Sequence, residues 1–208
     1  MHSVLTLREA SGKQPWIAAQ QSTDPEVLSL IASGDKHAMQ VLFARYNLRV
    51  YRFVLRLVGD EALAEDLVNE VFVEVWRSAD RFEGNSQVST WVMAIARFKT
   101  LTSLRRRKDD ALDDVEAAAI PDTADNPETA MQKKDRVAIL RECMSHLSHN
   151  DREIIDLVYY HEKSIVEAAE IVGVPKNTAK TRMFHARKRM SVLLQQAGIE
   201  QTYQWSTT

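Results

Sequence analysis

Residues 164–190 read SIVEAAEIVGVPKNTAKTRMFHARKRM, a stretch whose spacing predicts two helices joined by a tight turn. Ser164 and Glu167 stand three residues apart, as in a capping box, where the two side chains satisfy backbone amides of the first helical turn. A helix-turn-helix also needs a small residue where its helices touch, a glycine in the turn and an apolar anchor on its second helix. The residues at these three positions are, in order, Ala169, Gly173 and Ala179. The sequence therefore predicts a helix-turn-helix in the C-terminal part of the chain.

The second helix of this motif has an apolar side and a basic side. Its predicted inward stripe leaves the opposite face polar, and residues 174–190 hold six Lys or Arg and no acid. Such side chains can read base edges and hold phosphates. The residues expected to contact DNA are Lys176, Asn177, Thr178, Lys180, Thr181, Arg182, Phe184, His185, Arg187 and Lys188. The alternative is a basic surface helix that only packs on its neighbours.

Charge is arranged in blocks of alternating sign along the chain. Residues 60–74 carry six acids and no Lys or Arg, and residues 91–108 carry six bases and no acid. Residues 109–130 then carry eight acids and no base, so the small net charge of −2 hides strong local charge. Two basic blocks suggest two surfaces for polyanions, and two acidic blocks suggest positively charged partners.

Hydrophobic residues recur every three or four positions through most of the chain, which predicts an all-α fold. We expect two small helical domains: residues 25–108, with helices capped by Asp35 and Asp60, and residues 127–197, which contain the helix-turn-helix. Residues 109–126 lack a helical stripe and read as an acidic linker, extended by self-repulsion. Residues 1–24 and 198–208 are expected to be tails.

The composition is that of a globular protein with no sign of a catalytic site. No apolar run approaches the ~18 residues of a membrane span, and no signal-peptide core is present, so we expect a cytoplasmic protein. The single cysteine, Cys143, excludes an internal disulfide. The chain has no phosphate-binding glycine loop, nucleophile elbow or HExxH zinc motif, which predicts neither an enzyme nor a cofactor.

One small cluster leaves a metal site open as an alternative. Cys143, His146 and His149 are spaced three residues apart, close enough to share a metal if one helix carries all three. A helix end at Ser148 would separate them, and a free cysteine is more often an ordinary buried residue. We therefore predict no metal site.

Three longer stretches resemble the group 4, or extracytoplasmic function, sigma factors of bacterial RNA polymerase. They are DEALAEDLVNEVFVEVW at 60–76, STWVMAIARFKTLTSLRRRK at 89–108, and the segment 147–190 that ends with the helix-turn-helix. The resemblance spans about residues 27–195, including the order of both domains and the linker. It implies a subunit that binds core polymerase and directs initiation at chosen promoters.

The resemblance also implies roles for the charge blocks. The acidic helix would dock on the β′ clamp helices through Asp66, Asn69 and Glu70. The second domain would meet the β flap, and the second helix of its helix-turn-helix would read the −35 element. The first domain would melt the −10 element. The residues expected to read unpaired bases there or hold their phosphates are Asn85, Ser86, Gln87, Thr90, Arg97, Lys99, Arg105, Arg106 and Arg107. The acidic linker would follow the RNA exit path of the polymerase.

Some residues depart from the family pattern, and other functions stay open. Met93 and Ala94 stand where relatives often have Tyr and Arg, and Phe98 replaces a frequent Asn. In the recognition helix Asn177 and Ala179 replace a frequent Gly and Val. The resemblance implies an anti-sigma factor as a further partner. The alternatives are a stand-alone helix-turn-helix regulator and a protein that binds polymerase without initiating.

Overall fold

The architecture is taken from a computed structural model that describes residues 21–110, 138–140 and 142–198, without the side chains of 108–110. Within those ranges the secondary structure is helical and contains no strand. This confirms the predicted all-α class. No helix in the described part of the chain combines the length and the apolar character needed to cross a membrane.

Helices α1 (Asp24–Ala32) and α2 (Lys36–Val58) open the N-terminal domain. Sequence reasoning missed α1, whose first turn is closed by the Glu26 carboxylate accepting from the Thr23 amide at 2.7 Å. Asp35 caps α2 as predicted, accepting from the amides of residues 37 and 38. Gly59 ends α2 with φ 69°, in the left-handed region that favours glycine.

Helices α3 (Glu61–Ser78) and α4 (Val88–Asp110) complete this domain, joined by a 3₁₀ turn (Ala79–Arg81) and a loop. Asp60 caps α3 by accepting from the Leu63 amide, as predicted. Helix α4 continues to Asp110 and so includes the first two residues of the linker, which was predicted to start at 109. The charge changes sign before the backbone leaves the helix, because helix propagation depends on backbone hydrogen bonds more than on side-chain charge.

The core of the N-terminal domain follows the predicted stripes with local differences. In α2 the residues Leu42, Val50 and Phe53 are fully buried, whereas Phe43, placed on the same stripe, is 37% exposed. In α4 the buried face comprises Val88, Val92, Met93, Ala96 and Thr100. Trp91 and Ile95, expected to be core residues, are only half-buried. Another part of α4, which includes Thr90 and Arg97, contacts the C-terminal domain.

The C-terminal domain contains residues 138–140 and 142–145, which are helical, and then three helices. These are α5 (His149–Ile155), α6 (Ile165–Val172) and α7 (Lys176–Gln196), with a π-helical turn (Asp156–Tyr160) directly after α5. Ser148 caps α5, and Ser164 with Glu167 forms the predicted capping box of α6. Helix α7 packs against both α5 and α6.

The two domains contact each other, chiefly through α4 and α6. Their buried apolar residues form one continuous cluster. Three predicted features lie outside the described residues. They are residues 111–126 of the linker, the helix start at Pro127, and both tails apart from residues 21–24 and 198.

Candidate nucleic-acid interface

Helix α7 presents the predicted polar face to solvent. Ala179, Met183, Ala186 and Met190 are buried against the rest of the domain, as the apolar stripe predicted. A short turn with Gly173 at φ 71° and Pro175 as the N-cap leads into the helix. The predicted −35 residues with exposed side chains are Lys176, Asn177, Thr178, Lys180, Thr181, Phe184, His185 and Lys188.

Two arginines of α7 lie at the edge of this face, and a third anchors the helix. Arg182 and Arg187 are partly buried, and the Arg187 guanidinium lies 5.8 Å from the centre of the Tyr159 ring. Arg189 donates to the Asp151 carboxylate of α5 at 2.6 Å. Phe184 is 64% exposed, and its ring meets the His185 ring edge-on at a centroid distance of 5.5 Å.

The loop before α4 is exposed and polar. Asn85 and Gln87 are exposed, Ser86 is partly exposed, and the Asn85 side-chain amide donates to the Glu83 carboxylate at 2.8 Å. Gly84 has φ 74°, so a residue with a side chain would be strained at this position. These three predicted −10 residues are therefore accessible to a ligand.

The cations of α4 fall into two groups. Arg105, Arg106 and Arg107 are exposed, and the Arg107 guanidinium is 3.8 Å from the Asp60 carboxylate. Lys99 instead donates to Glu74 of α3 at 2.9 Å, and this contact lowers the pKa of the Glu74 carboxyl. The last turns of α4 thus carry accessible positive charge.

One predicted −10 residue, Thr90, contacts the C-terminal domain instead of solvent. Thr90 is buried, and its hydroxyl donates to the Glu167 carboxylate at 2.9 Å. The buried Lys163 ammonium lies 2.5 Å from the Ser89 hydroxyl, 3.1 Å from Thr90 and 3.1 Å from Glu167. Burial opposes ionisation of Glu167, but hydrogen bonds from Ser164, Lys163 and Thr90 outweigh it and lower its pKa to about 2.

Arg97 also contacts a carboxylate of the other domain. Its Nε and Nη2 donate to the two oxygens of Glu153 at 2.6 Å and 3.2 Å, and the Glu153 side chain is completely buried. A guanidinium and a carboxylate in this two-point arrangement form one of the stronger hydrogen-bonded pairs in proteins. The carboxylate occupies the position on Arg97 that a phosphate could take.

The π-helical turn adds a third polar contact between the domains. Arg56 of α2 donates to the buried Asp156 carboxylate, and its guanidinium lies 4.1 Å from the centre of the Tyr160 ring. The His161 ring meets the Phe53 ring edge-on at 5.5 Å, with its Nε2 atom 3.3 Å from Asp156. We use the name inter-domain latch for three sets of contacts: Arg97 with Glu153, Arg56 with Asp156, and the hydroxyls of Ser89 and Thr90 with Lys163 and Glu167.

The acidic face of α3 is exposed as predicted. Asp66, Asn69 and Glu70 point to solvent on one side of the helix. Val73 follows on the same side and is 47% exposed, an apolar residue that sequence reasoning did not include. Val73 lies about two helical turns after Asp66, and this spacing could have placed it on the same exposed face.

The cysteine and histidines do not gather into a metal site. Cys143 is buried, and burial raises the pKa of its thiol. His146 pairs with Glu142 at 3.1 Å, while His149 belongs to α5, beyond the cap at Ser148. Over the part of the chain that the structure describes, no three metal-ligating side chains lie close enough to share an ion.

Comparison with known proteins identifies the family. The sigma-70 region 2 family model matches residues 42–109, and the sigma-70 region 4 model matches residues 138–190. The chain is 28% identical to the ECF RNA polymerase sigma factor SigW of Bacillus subtilis (strain 168), over 77% of this chain and 90% of that protein. It is 29% identical to SigM of the same strain, over 73% of this chain and 92% of that protein.

Solved structures show the same fold. One is CnrH in complex with the cytosolic domain of CnrY, with a TM-score of 0.61, 23% identity and coverage of 83% of this chain and 97% of that chain. Another is the sigma factor RpoE in complex with the anti-sigma factor NepR from Bartonella quintana, with a TM-score of 0.63, 24% identity and coverage of 75% and 96%.

The chain belongs to the sigma-70 family of bacterial RNA polymerase subunits, within its extracytoplasmic function group. It is an alternative sigma factor that directs promoter-specific transcription, and a stand-alone regulator is not favoured, because both sigma regions are present. Membership of this family also indicates a regulator and not an enzyme.

Proposed function

We propose that this sigma factor reads the −35 duplex with the exposed face of α7. The observation that carries this assignment is the division of the helix into a buried apolar stripe and an exposed face with Lys180, Thr181 and Lys188. A helix in the major groove needs donors for bases, cations for phosphates and no acid to repel the backbone. Phe184, which is exposed beside them, can contact a thymine methyl group.

The −10 element is read by the loop before α4 and by α4 itself. Asn85 and Gln87 offer amide groups for the edges of an unpaired base. Arg105, Arg106 and Arg107 provide positive charge for the phosphates of the same strand. The loop and the basic helix are adjacent in the chain, which supports one continuous path for the DNA.

Core polymerase binds the exposed face of α3. Asp66, Asn69 and Glu70 supply hydrogen-bond acceptors and negative charge, and Val73 adds apolar area at the end of the same face. An interface that combines an apolar contact with a charged rim is typical of protein partners. The chemistry of RNA synthesis then belongs to core polymerase, and this chain acts as a cytoplasmic regulatory subunit.

DNA binding requires the inter-domain latch to open. In the closed arrangement, Arg97 is engaged by Glu153 and Thr90 is buried under Glu167, so neither can contact a −10 strand. Opening exposes both side chains and returns the buried carboxylates to water. Contacts with promoter phosphates and with polymerase offset the free energy that is lost when the latch opens. The acidic linker, which lies outside the described residues, tethers the two domains along the polymerase.

An anti-sigma factor is a further proposed partner. The relatives CnrH and RpoE were solved with the partners CnrY and NepR, respectively. A protein that stabilises the closed arrangement keeps Arg97 and Thr90 unavailable to DNA. We expect such a partner to bind both domains at once and to release them when transcription is required.

Reconstitution with core RNA polymerase tests the proposed function. The full chain, mixed with core enzyme and genomic DNA, should initiate at a small set of mapped start sites that share −35 and −10 sequences. Lys180→Ala with Thr181→Ala should lower initiation at these sites while leaving core binding intact. Gln195→Ala, at an exposed position near the end of the same helix, serves as the control. Unchanged promoter-specific initiation by the double variant would defeat the −35 assignment.

A further inference from the structure

Helix α2 carries a row of arginines that, apart from Arg56 of the inter-domain latch, has no role in the contacts described above. Residues 36–58 hold five bases and no acid, a charge block that sequence reasoning did not include. Arg45, Arg49, Arg52 and Arg56 follow one another at steps of four, three and four residues, which places them on one face of the helix. We call these four side chains the arginine row, which is roughly 16 Å long at a rise of about 1.5 Å per residue.

The middle of the arginine row is open to solvent. Arg49 and Arg52 are exposed, and no carboxylate in the described part of the chain pairs with either guanidinium. At one end of the row, Arg45 donates to the Asp24 carboxylate at 2.6 Å and to the Ser22 carbonyl at 2.8 Å. Like charges on adjacent turns of a helix repel each other, so an exposed row of cations favours the binding of an anion.

The other end of the arginine row reaches Arg97, a predicted −10 residue of α4. Arg56 donates to the buried Asp156 carboxylate, and Arg97 donates to the buried Glu153 carboxylate. Asp156 follows directly after α5, three residues beyond Glu153, so the two carboxylates lie about one helical turn apart. Helix α2 also packs against α4. The two arginines therefore lie side by side, and when the latch opens the arginine row continues into the cations of α4.

We propose that the arginine row binds the phosphate backbone of the promoter strand that continues from the −10 element. Guanidinium groups pair well with phosphate, and a row of them can hold successive phosphates of one strand. In the closed arrangement Glu153 and Asp156 occupy Arg97 and Arg56, and the strand replaces both carboxylates when the latch opens. Contacts with the backbone carry no sequence information, so the arginine row increases the affinity for every promoter that the chain recognises. The proposal rests on the proposed function, since α4 must first hold the −10 strand.

The composition of this face favours DNA over an acidic protein as the occupant. Protein interfaces usually have an apolar or aromatic centre, with charged residues toward the rim. Here the two exposed cations Arg49 and Arg52 form the centre. Leu48 borders the arginine row and is 55% exposed, whereas the exposed Phe43 lies on the opposite side of α2. A face with so much charge and so little apolar area suits a polyanion.

The salt dependence of DNA binding tests the proposal. A preformed complex of the full chain with core polymerase is titrated with a template from a mapped start site whose −10 region carries a mismatched bubble. Arg49→Gln with Arg52→Gln should reduce the slope of log K against log salt by about 1.4, because each contact with a single strand contributes about 0.7. Arg49→Lys with Arg52→Lys should keep most of the slope, since the charge remains. Lys36→Gln is the control, because it removes an exposed charge from the opposite side of α2 and should leave the slope unchanged.

Neutral phosphates locate the contact. A methylphosphonate is placed at single positions of each strand on both sides of the bubble. At neighbouring positions beyond the −10 element the parent chain should lose affinity severalfold, whereas the double Gln variant should not, because its contact is already absent. Equal salt slopes for these two proteins, or the absence of any such position, overturn the proposal. Loss of core-polymerase binding by the double Gln variant also overturns it and indicates an acidic protein partner. Failure of the parent chain to initiate would instead refute the proposed function.

Discussion

The contact of Arg97 with Glu153 allows a quantitative prediction about the opening of the two domains. Glu153→Gln keeps the shape of the side chain but removes its charge, and the Glu153 carboxylate is fully buried against Arg97. A hydrogen bond to a charged group contributes about 1.5–3 kcal/mol to stability. We therefore expect the ratio of open to closed molecules to rise by about 10- to 150-fold.

The equilibrium can be followed by energy transfer between one dye on each domain. Exposed positions at Glu61 on α3 and Gln195 on α7 are suitable for labelling. Glu153→Gln should shift the population toward low transfer, and rising salt should shift it less in this variant than in the parent chain. Glu142→Gln is the matched control, because that carboxylate is exposed and pairs with His146 in its own domain.

A double-mutant cycle separates the pair from the rest of the latch. Arg97→Gln leaves the buried Glu153 carboxylate without its partner, so it should open the domains at least as much as Glu153→Gln. The combination of both substitutions should open them less than the sum of the single effects, since neither side then carries an unpaired charge. If Glu153→Gln leaves the dye distances unchanged, Arg97 does not hold the domains together and the latch is misassigned.

Three further predictions concern other parts of the molecule. The pKa of Glu167 is lowered from 4.5 to about 2 in the folded chain, so its ionised carboxylate contributes of the order of 3 kcal/mol to the unfolding free energy above pH 4.5, and this contribution is lost as the pH falls toward 2. Glu167→Gln should flatten the pH dependence of the unfolding free energy in that window. Gly173→Ala should lower the midpoint of thermal unfolding through a backbone cost of about 1–2 kcal/mol, because φ is 71° and the added methyl group meets no atom within 4 Å beyond the adjacent residues. Gly173→Asn should cost less, and equal costs would contradict a conformational cause. Asp66→Lys should weaken co-elution with core polymerase, because it places a cation on the acidic face of α3, and unchanged co-elution would remove α3 from the core interface.

Local signals predicted most of the described helices and several of their ends. The helices are capped as expected by Asp35, Asp60, Ser148 and the Ser164–Glu167 box, and Gly173 ends α6 in the turn before α7. Each of these features involves residues within a few positions of each other, so its physics is contained in a short window. Helix α1 was missed although Thr23 and Glu26 have the spacing of a capping box at its start.

The environment of the −10 residues was not predictable in the same way. The partner of Thr90 is 77 positions away and that of Arg97 is 56 positions away. In the sequence, Glu167 is explained completely by the capping box, and nothing marks it as a contact of the other domain.

The sequence by itself determined the helices, their caps, the buried stripe of α7 and the family to which the chain belongs, because these depend on neighbouring residues and on motifs. Only the tertiary structure decided which cations are accessible. Lys180 is open to solvent, whereas Arg97 is paired with a buried carboxylate. The reason is physical: the free energy of a charge depends on the groups that surround it in space, and distant segments supply those groups only when the chain has folded.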